Sequence, residues 1–283
     1  MKFLAAAVQM LAVDDKAANL AEADRWIRAA AAQGARLVAL PEVFLWRGDK
    51  KREKEFAEPI PGPASEALAG WARELGIYLL AGSLLEEVPG SPKAYNTSLL
   101  FDPAGKLRAS YRKMHLFDVD LANGDSYRES ANYAPGGQAV VADLPWGRLG
   151  LSICYDLRFP YLYRAMAKAG ATFLAVPAAF TRLTGEAHWH TLLKARAIES
   201  QCFVFAAAQG GRHEHGRETF GHSLIISPWG QILAEGAVHP SVIFGDVELG
   251  MVEDVRTRVP SLRHDRTFDV VHAGGKSAAE VAS

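Results

Sequence analysis

The chain has 283 residues, of which 49% are hydrophobic, and a formal net charge of −1. This composition allows a sizeable core and does not indicate general binding to nucleic acid or to an anionic membrane. With only two cysteines, Cys154 and Cys202, a disulfide framework is excluded. Residues 1–10 lack the pattern of a secretory signal, and no apolar stretch has membrane-spanning length, so we expect a cytoplasmic protein.

The first half of the chain shows the periodicity of alternating strands and helices. Apolar residues recur at helical spacing from Leu20 to Ala30, and short apolar runs indicate strands. Asp102-Pro-Ala-Gly105 predicts a hairpin turn. The predicted helices are 14–35 and 64–75, and the predicted strands are 3–8, 36–40, 77–84, 94–101 and 107–113.

The second half repeats this pattern after an irregular segment. Residues 114–138 are rich in Asp, Gly, Asn and Pro, and a loop of that length inside a compact domain is usually functional. Pro228-Trp-Gly230 predicts a second hairpin turn. The predicted helices are 161–169 and 186–200, and the predicted strands are 147–153, 171–176, 202–208, 221–227, 232–234 and 242–247.

These elements predict a layered α/β fold. Two β-α-β halves cover apolar strands with helices, and the hairpins argue against a purely parallel sheet. We therefore expect a sandwich of mixed sheets with outer helices rather than a barrel. No linker-like break divides the chain, so residues 1–270 are predicted to form one domain and residues 271–283 a disordered tail.

Cys154 is the most informative residue of the sequence. An apolar strand leads into it, and polar residues and Pro160 then turn the chain towards a helix. Such an elbow gathers backbone N–H groups, and a helix N-terminus lowers the pKa of a thiol. We therefore expect Cys154 to be presented as a nucleophile with a lowered pKa.

Two further predicted strands end on polar residues. Glu42 follows one of them and Lys113 ends the other. The carboxyl ends of strands are where sites form in α/β sheets. Amide hydrolysis needs all three groups, because a thiol attacks the carbonyl, a carboxylate takes its proton and a cation stabilises the oxyanion.

Each of the three residues also has a structural interpretation. Cys154 alone fits a small core residue, Glu42 a cap or a solvated loop acid, and Lys113 a surface lysine on an edge strand. Their shared placement at strand ends favours the catalytic interpretation.

The sequence resembles the nitrilase, or carbon–nitrogen hydrolase, superfamily. The resemblance covers residues 3–250 and is carried by several motifs in the same order. They are Leu40-Pro41-Glu42, Tyr111-Arg112-Lys113-Met114-His115-Leu116-Phe117-Asp118, Leu151–Pro160, Thr184–Trp189, Arg196–Glu199, Gly221–Ser223 and Pro228–Gly230. It implies a four-layer αββα sandwich with two mixed β-sheets and a Glu-Lys-Cys triad.

By this resemblance Cys154 is the nucleophile, Glu42 the general base and Lys113 the oxyanion stabiliser. The backbone N–H of Tyr155 is the second donor to the oxyanion. Glu129 matches a second glutamate beside the triad, which would orient Lys113 or the substrate amide; a loop carboxylate facing water is the alternative. The implied reaction is hydrolysis of an amide to an acid and ammonia through a Cys thioester.

The substrate is expected to be a small amide that carries a carboxylate. Arg158 and Thr184 match family residues that contact such a group, and a guanidinium can grip it bidentately. A structural salt bridge with Asp156 or a loop acid is the alternative for Arg158. A helix N-cap is the alternative for Thr184, and the two roles of Thr184 do not exclude each other. The stretches 195–202 and 206–213 resemble the branch that hydrolyses deaminated glutathione; ω-amidases, which act on 2-oxoglutaramate, are the neighbouring branch. His190 departs from the family, which commonly has Glu there.

Two other classes of protein were weighed against this hypothesis. His213, His215 and His222 with Glu214 and Glu218 suggest a metal-dependent hydrolase, yet their spacing matches no zinc motif. A catalytically silent binding protein is disfavoured by the complete set of Glu42, Lys113 and Cys154. We expect no metal or cofactor, a small-molecule amide as the partner, and a homodimer or larger homo-oligomer by resemblance.

Overall fold

The structure is a computed structural model that describes residues 1–49, 51–122 and 124–271, apart from the side chain of His215. Its helices are α1 (Lys16–Ala32), α2 (Pro63–Leu75), α3 (Pro160–Lys168), α4 (Arg182–Ser200) and α5 (Gly250–Arg258). Its strands are β1 (Lys2–Gln9), β2 (Ala35–Ala39), β3 (Tyr78–Leu80), β4 (Leu84–Glu87), β5 (Ala94–Phe101), β6 (Leu107–Arg112), β7 (Asp118–Asp120), β8 (Ser126–Arg128), β9 (Val140–Leu144), β10 (Gly147–Leu151), β11 (Phe173–Ala175), β12 (Phe203–Ala206), β13 (Gly210–Arg212), β14 (Glu218–Phe220), β15 (Leu224–Ile226), β16 (Ile232–Glu235) and β17 (Ser241–Glu248).

Two mixed sheets form the centre of the molecule. The first has the order β17-β1-β2-β3-β5-β4, with β6 paired to β5, and the second has the order β16-β15-β12-β11-β10-β9. The pairs β1–β2–β3 and β10–β11–β12 are parallel, and the outer strands pair antiparallel. The hairpins β7–β8 and β13–β14 lie outside both sheets. Crossover helices connect parallel strands and hairpins connect antiparallel strands, so a chain that contains both forms sheets with mixed pairing.

Alternation along each strand separates the two faces of the first sheet. Ala5 and Ala7 of β1 belong to the core shared with the second sheet, whereas Ala6 and Val8 belong to the core under α1 and α2. This is the period of two that every strand imposes on its side chains. On the second sheet, α3 packs on β10 and α4 on β12. The layers are therefore helix, sheet, sheet, helix, which confirms the predicted αββα sandwich.

Some predicted boundaries are wrong. The strand predicted over 77–84 is two strands, β3 and β4, because the chain turns at Gly82, where φ is +42°. The last helix, α5, was not predicted, since it buries only Val252 and Val255 and lacks an apolar stripe. Of the predicted tail at 271–283, only Val271 is among the described residues. None of the helices in the described ranges is long and apolar enough to cross a membrane.

The turn at Gly82 supports the segment that carries Glu42. A Cβ at Gly82 would lie 2.0 Å from the carbonyl oxygen of Pro41 and 2.4 Å from that of Leu40. Ser83 continues this contact, because its N–H donates to the Pro41 carbonyl and its Oγ accepts from the Val43 N–H. Only glycine combines this φ with so close an approach of two backbones.

We expect Gly82→Ala to lower the free energy of unfolding by about 1–3 kcal/mol, because the new Cβ meets backbone in a left-handed turn. Urea unfolding measures the change. Gly70→Ala is the matched control, since Gly70 lies in α2 with open space around its Cα and alanine is the better helix former by about 0.5–1 kcal/mol. Equal effects of the two substitutions would contradict this account of Gly82.

Candidate active site

Three of the predicted site residues follow the carboxyl ends of strands. Glu42 lies beyond β2, Lys113 directly after β6 and Cys154 beyond β10. Because β6 runs antiparallel to β5, and β5 antiparallel to β3, β6 ends at the same sheet edge as β2. Cys154 comes from the facing sheet. Their residue exposures are 3%, 1% and 8%, so the sandwich buries all three groups.

Lys113 lies between two carboxylates. Its Nζ donates to Glu42 Oε1 at 2.9 Å and to both oxygens of Glu129, at 2.8 and 3.0 Å. Each glutamate also accepts one backbone hydrogen bond at its Oε2. The Ala179 N–H donates to Glu42 and the Phe117 N–H donates to Glu129, both at 2.8 Å. The predicted position of Glu129 beside Lys113 is what the structure shows; it is not a water-facing loop acid.

Glu42 has further partners that orient it towards the thiol. The Asn96 amide Nδ2 donates to Glu42 Oε1 at 2.9 Å. The Cys154 thiol is close enough to this carboxylate to contribute, after Lys113, to the lowering of the pKa of Glu42. A base and a thiol in this relation can transfer a proton without any rearrangement of the backbone.

The electrostatics of the cluster follow from burial and from the single cation. Burial raises the pKa of Glu42, but the charge and hydrogen bond of Lys113 outweigh it, so this pKa lies below its usual value. Burial and the charge of Glu42 together raise the pKa of Glu129 against the opposing effect of Lys113. Burial opposes the charge of Lys113, yet Glu129 and Glu42 hold its pKa well above the usual range. The three groups therefore titrate as a unit.

The expected low pKa of Cys154 is wrong. Burial and the negative charge of Glu42 raise the pKa of this thiol well above its usual value, and Lys113 and the Ala179 N–H offset this only in part. The segment after the elbow is a short 3-10 turn, Cys154–Arg158, separate from α3, so no long helix dipole acts on the sulfur. Cys154 adopts φ +47°, the strained conformation typical of a residue held for function.

Asp156 joins the Cys154 elbow to the segment that carries Lys113. Its Oδ2 accepts from the Tyr111 hydroxyl at 2.7 Å and from the Ile153 N–H at 2.8 Å. Its Oδ1 accepts from the His115 N–H at 3.1 Å and lies 2.7 Å from His115 Nδ1. Asp156 is fully buried, so it positions two strand ends from opposite sheets and is not a partner of Arg158. The sequence analysis did not identify this role.

A cavity opens above the cluster and encloses about 800 Å³, including its mouth. The irregular segment 114–138 supplies much of the wall, as its length suggested. The lining residues include Glu42, Arg47, Glu53, Phe117, Tyr127, Arg128, Glu129, Tyr133, Cys154, Tyr155, Phe180, Thr184, Arg217 and Glu218.

Comparison with known proteins gives a family for this arrangement. Residues 4–257 match the family model "Carbon-nitrogen hydrolase". The chain belongs to the carbon–nitrogen hydrolase family. It is 44% identical to a deaminated glutathione amidase of Synechocystis over 265 residues, which cover 93% of this chain and 97% of that protein.

Two further relatives support the same family and fold. The chain is 38% identical to human omega-amidase NIT2, over 94% of this chain and 95% of that protein. The crystal structure of Saccharomyces cerevisiae Nit3, a member of branch 10 of the nitrilase superfamily, superposes with a TM-score of 0.83 at 32% identity, covering 92% of this chain and 94% of that chain. This carbon–nitrogen hydrolase is thus matched along nearly its whole length.

The predicted substrate-binding residues of this carbon–nitrogen hydrolase lie in different places. Tyr155 lines the cavity. The first hydrogen bond of the turn runs from the Asp156 N–H to the Ile153 carbonyl, and the Tyr155 N–H lies one residue before that donor. Thr184 also lines the cavity, inside α4 rather than at its N-cap, which is Thr181. Arg158 is not among the lining residues.

Arg158 lies immediately behind the cavity wall. Its guanidinium carbon is 5.8 Å from the Tyr155 ring centre and 5.2 Å from that of Phe180, and both rings line the cavity. Its NH1 is 3.3 Å from His188 Nδ1. A side-chain rotation is therefore needed before this guanidinium can reach a ligand in the cavity.

His213 and His222, the histidines of the rival metal hypothesis whose side chains the structure describes, do not belong to one cluster. His213 is buried with both ring nitrogens engaged, by the Ala12 carbonyl at 2.9 Å and Thr219 Oγ1 at 2.7 Å. Burial lowers its pKa to about 3, so it is neutral. His222 lies elsewhere, where it shares Glu235 Oε1 with His190, at 2.8 and 2.9 Å. In this chain His190 thus joins a hydrogen-bonded surface network.

We expect Glu129→Gln to move the alkaline limb of the kcat/KM profile to lower pH. Glu129 is the first of the charges that raise the pKa of Lys113 against burial, so its neutralisation lowers that pKa and Lys113 loses its proton earlier. Because Lys113 also loses a positioning partner, kcat/KM at neutral pH should fall about 10²-fold.

Glu58→Gln is the control for this experiment. Glu58 is another buried glutamate paired with a lysine, Lys16, but it lies outside the cavity lining. Its replacement should leave the pH profile unchanged. An unshifted alkaline limb in Glu129→Gln would show that Glu129 does not control the ionisation of Lys113.

Proposed function

We propose that this protein is a thiol-dependent amidohydrolase that uses Cys154 as nucleophile, Glu42 as general base and Lys113 as oxyanion stabiliser. The observation that carries the proposal is that Glu42 and Cys154 line one cavity while the Lys113 ammonium donates to Glu42 at 2.9 Å, with Cys154 close enough to act on the pKa of both groups. Glu129 is a positioning residue, because it reaches the reacting atoms only through Lys113.

The first half-reaction begins with a protonated thiol and an ionised carboxylate. The opposite directions of their pKa shifts keep the proton on sulfur until substrate arrives. As sulfur attacks the amide carbon, Glu42 takes the thiol proton and the carbonyl becomes an oxyanion. Lys113 Nζ and the Tyr155 N–H donate to that oxyanion. Glu42 then returns the proton to the amide nitrogen, the C–N bond breaks and a thioester remains.

The second half-reaction releases the acid. Glu42, ionised again, takes a proton from water as the water oxygen attacks the thioester carbon. The same two donors stabilise the second oxyanion. Collapse breaks the C–S bond, and the proton held by Glu42 returns to sulfur, which restores the starting state without any net change in the enzyme.

We propose deaminated glutathione as the substrate and 2-oxoglutaramate as the second candidate. The first is supported by the amidase relative at 44% identity and the second by the omega-amidase relative at 38%. Both compounds contain a 2-oxoglutaryl group joined through an amide. Hydrolysis yields 2-oxoglutarate from each, with cysteinylglycine as the other product of deaminated glutathione and ammonia as that of 2-oxoglutaramate. Ammonia is therefore the expected product only for the second candidate.

We further propose that Thr184 and Arg158 bind the carboxylate of the 2-oxoglutaryl group. Thr184 Oγ1 lines the cavity 2.8 Å from Thr181 Oγ1, so its hydroxyl is held in place. Arg158 is placed on the Cys154 side of the wall, behind Tyr155 and Phe180. A carboxylate offers a stronger partner than the 3.3 Å contact with His188, which favours rotation of Arg158 when substrate binds.

We propose a homodimer in the cytoplasm. Exposed Trp229 and Ile198 are neighbours on one surface, since Ile198 packs over Gly230, and exposed aromatic residues of this kind are typical of interfaces. Both cysteines are buried as free thiols, and the nucleophile requires the reduced state that the cytoplasm maintains.

We expect Cys154→Ala to abolish turnover and to prevent acyl-enzyme formation. Mass spectrometry of acid-quenched wild-type enzyme should detect a 2-oxoglutaryl adduct on the peptide that contains Cys154. Cys202→Ser is the control, because Cys202 donates to the Ala171 and Ser200 carbonyls and a hydroxyl keeps both contacts. Turnover by Cys154→Ala, or loss of activity to a chelator with the thiol intact, would contradict the mechanism.

Substrate choice is tested by formation of 2-oxoglutarate from each candidate. We expect kcat/KM to be highest for deaminated glutathione, lower for 2-oxoglutaramate and negligible for simple aliphatic nitriles and N-carbamoyl compounds. A coupled assay for 2-oxoglutarate reads the two oxo acid substrates on one scale. Preference for nitriles would overturn the proposed reaction class, and preference for 2-oxoglutaramate would replace the first candidate with the second.

A further inference from the structure

Two arginines line the cavity that contains Cys154, and neither was identified from the sequence. Arg47 lies five residues beyond Glu42, and Arg217 directly precedes β14. Both are half-buried. They enter the cavity from segments distinct from the turn that carries Cys154 and Arg158.

The backbones of the two arginines are anchored to one segment. The Arg47 N–H donates to the Val13 carbonyl at 3.0 Å. The His213 N–H donates to the Arg217 carbonyl at 2.8 Å, and the His213 ring bonds the Ala12 carbonyl. Both arginines are thus fixed beside residues 12 and 13, so their side chains enter the same part of the cavity.

Neither guanidinium forms a side-chain hydrogen bond or an ion pair with any other described residue. The other arginines near the cavity differ, since Arg128 pairs with Asp120, and Arg182 with Glu186 and Glu218. Burial and the like charge of Arg47 lower the pKa of Arg217, with partial compensation from Glu53. Two half-buried cations that repel one another favour an anion between them.

The acidic residues of the cavity have other partners. Glu218 accepts from Arg182 at 3.0 Å, and Glu53 accepts a hydrogen bond from the buried Tyr133 hydroxyl. Glu42 and Glu129 are bound to Lys113. Glu53 offsets the charge of the arginine pair only in part, so positive charge is left for a ligand, and a carboxylate with two acceptor oxygens fits two guanidinium groups.

We propose that Arg47 and Arg217 bind the carboxylate of the amide's leaving group, and that this pair selects deaminated glutathione over 2-oxoglutaramate. The inference rests on the proposed function. Deaminated glutathione carries one carboxylate on the acyl side of the scissile amide and another at the glycine end of the leaving dipeptide. The first is assigned to Arg158 and Thr184. The second has no counterpart in 2-oxoglutaramate, and the arginine pair is the cationic site that remains for it.

We expect Arg47→Gln and Arg217→Gln each to raise KM for deaminated glutathione about 10- to 100-fold, the effect of losing a charged hydrogen bond. For Arg217→Gln, KM for 2-oxoglutaramate and kcat for both substrates should change less than about threefold, since the reacting groups are untouched. The charge of Arg47 also lowers the pKa of Glu42, so for Arg47→Gln the readout is the rise of KM for deaminated glutathione relative to KM for 2-oxoglutaramate. Arg212→Gln is the matched control. This substitution removes the same charge from β13, but Arg212 is exposed and does not line the cavity. An equal rise of KM for both substrates would overturn the assignment, as would unchanged KM for deaminated glutathione.

A binding experiment separates this inference from the proposed function. Titration calorimetry with the inactive Cys154→Ala protein compares deaminated glutathione with its glycine carboxamide. We expect the carboxylate to bind more tightly by about 10-fold or more, and this preference to disappear when Arg47→Gln or Arg217→Gln is added. If the wild-type enzyme fails to hydrolyse deaminated glutathione while this preference is present, the proposed substrate is wrong and the carboxylate site stands. Equal binding of the two compounds overturns the site.

Discussion

The ammonium of Lys113, held between the carboxylates of Glu42 and Glu129, is the interaction on which the site depends. Three ionisable groups are buried together, and removal of charge from water is costly unless each ion is paired and hydrogen-bonded. Here both carboxylates also accept backbone N–H groups, from Ala179 and Phe117. The site therefore exists only when segments from both sheets and the segment 114–138 are in place together.

This constraint explains why Cys154 is kept as a thiol. The Lys113 ammonium is shared by two carboxylates, so sulfur would ionise beside groups that already carry negative charge. A thiolate beside Glu42 would add a further buried anion, which is why the pKa of Cys154 is raised. In the proposed reaction, proton transfer is therefore concerted with attack, so that Glu42 takes the thiol proton at the moment the carbonyl oxygen gains the charge that Lys113 would stabilise.

The fold supplies rigid support for this arrangement at two strained turns. Gly82 allows two backbones to approach beneath Glu42, and Cys154 itself adopts a positive φ. Asp156 connects the Cys154 elbow with Tyr111 and His115 on either side of Lys113. The buried carboxylate of Asp156 thus fixes groups from opposite sheets relative to one another. The cavity wall above them is built from irregular segments, whose charges can differ without disturbing the cluster of Glu42, Lys113 and Cys154.

The sequence by itself determined the strands, the covering helices and the residues at the strand ends, because hydrophobic period and short motifs are local properties. The layered αββα class and the meeting of Glu42, Lys113 and Cys154 follow from that information. Other features needed the tertiary structure. The pKa of Cys154 depends on burial and on the charge of Glu42, which lies 112 residues earlier in the chain. How loops pack decides that Arg47 and Arg217 lie close together in the cavity. It also decides that Arg158 lies behind the cavity wall. Those relations are long-range electrostatics and packing, which no local pattern encodes.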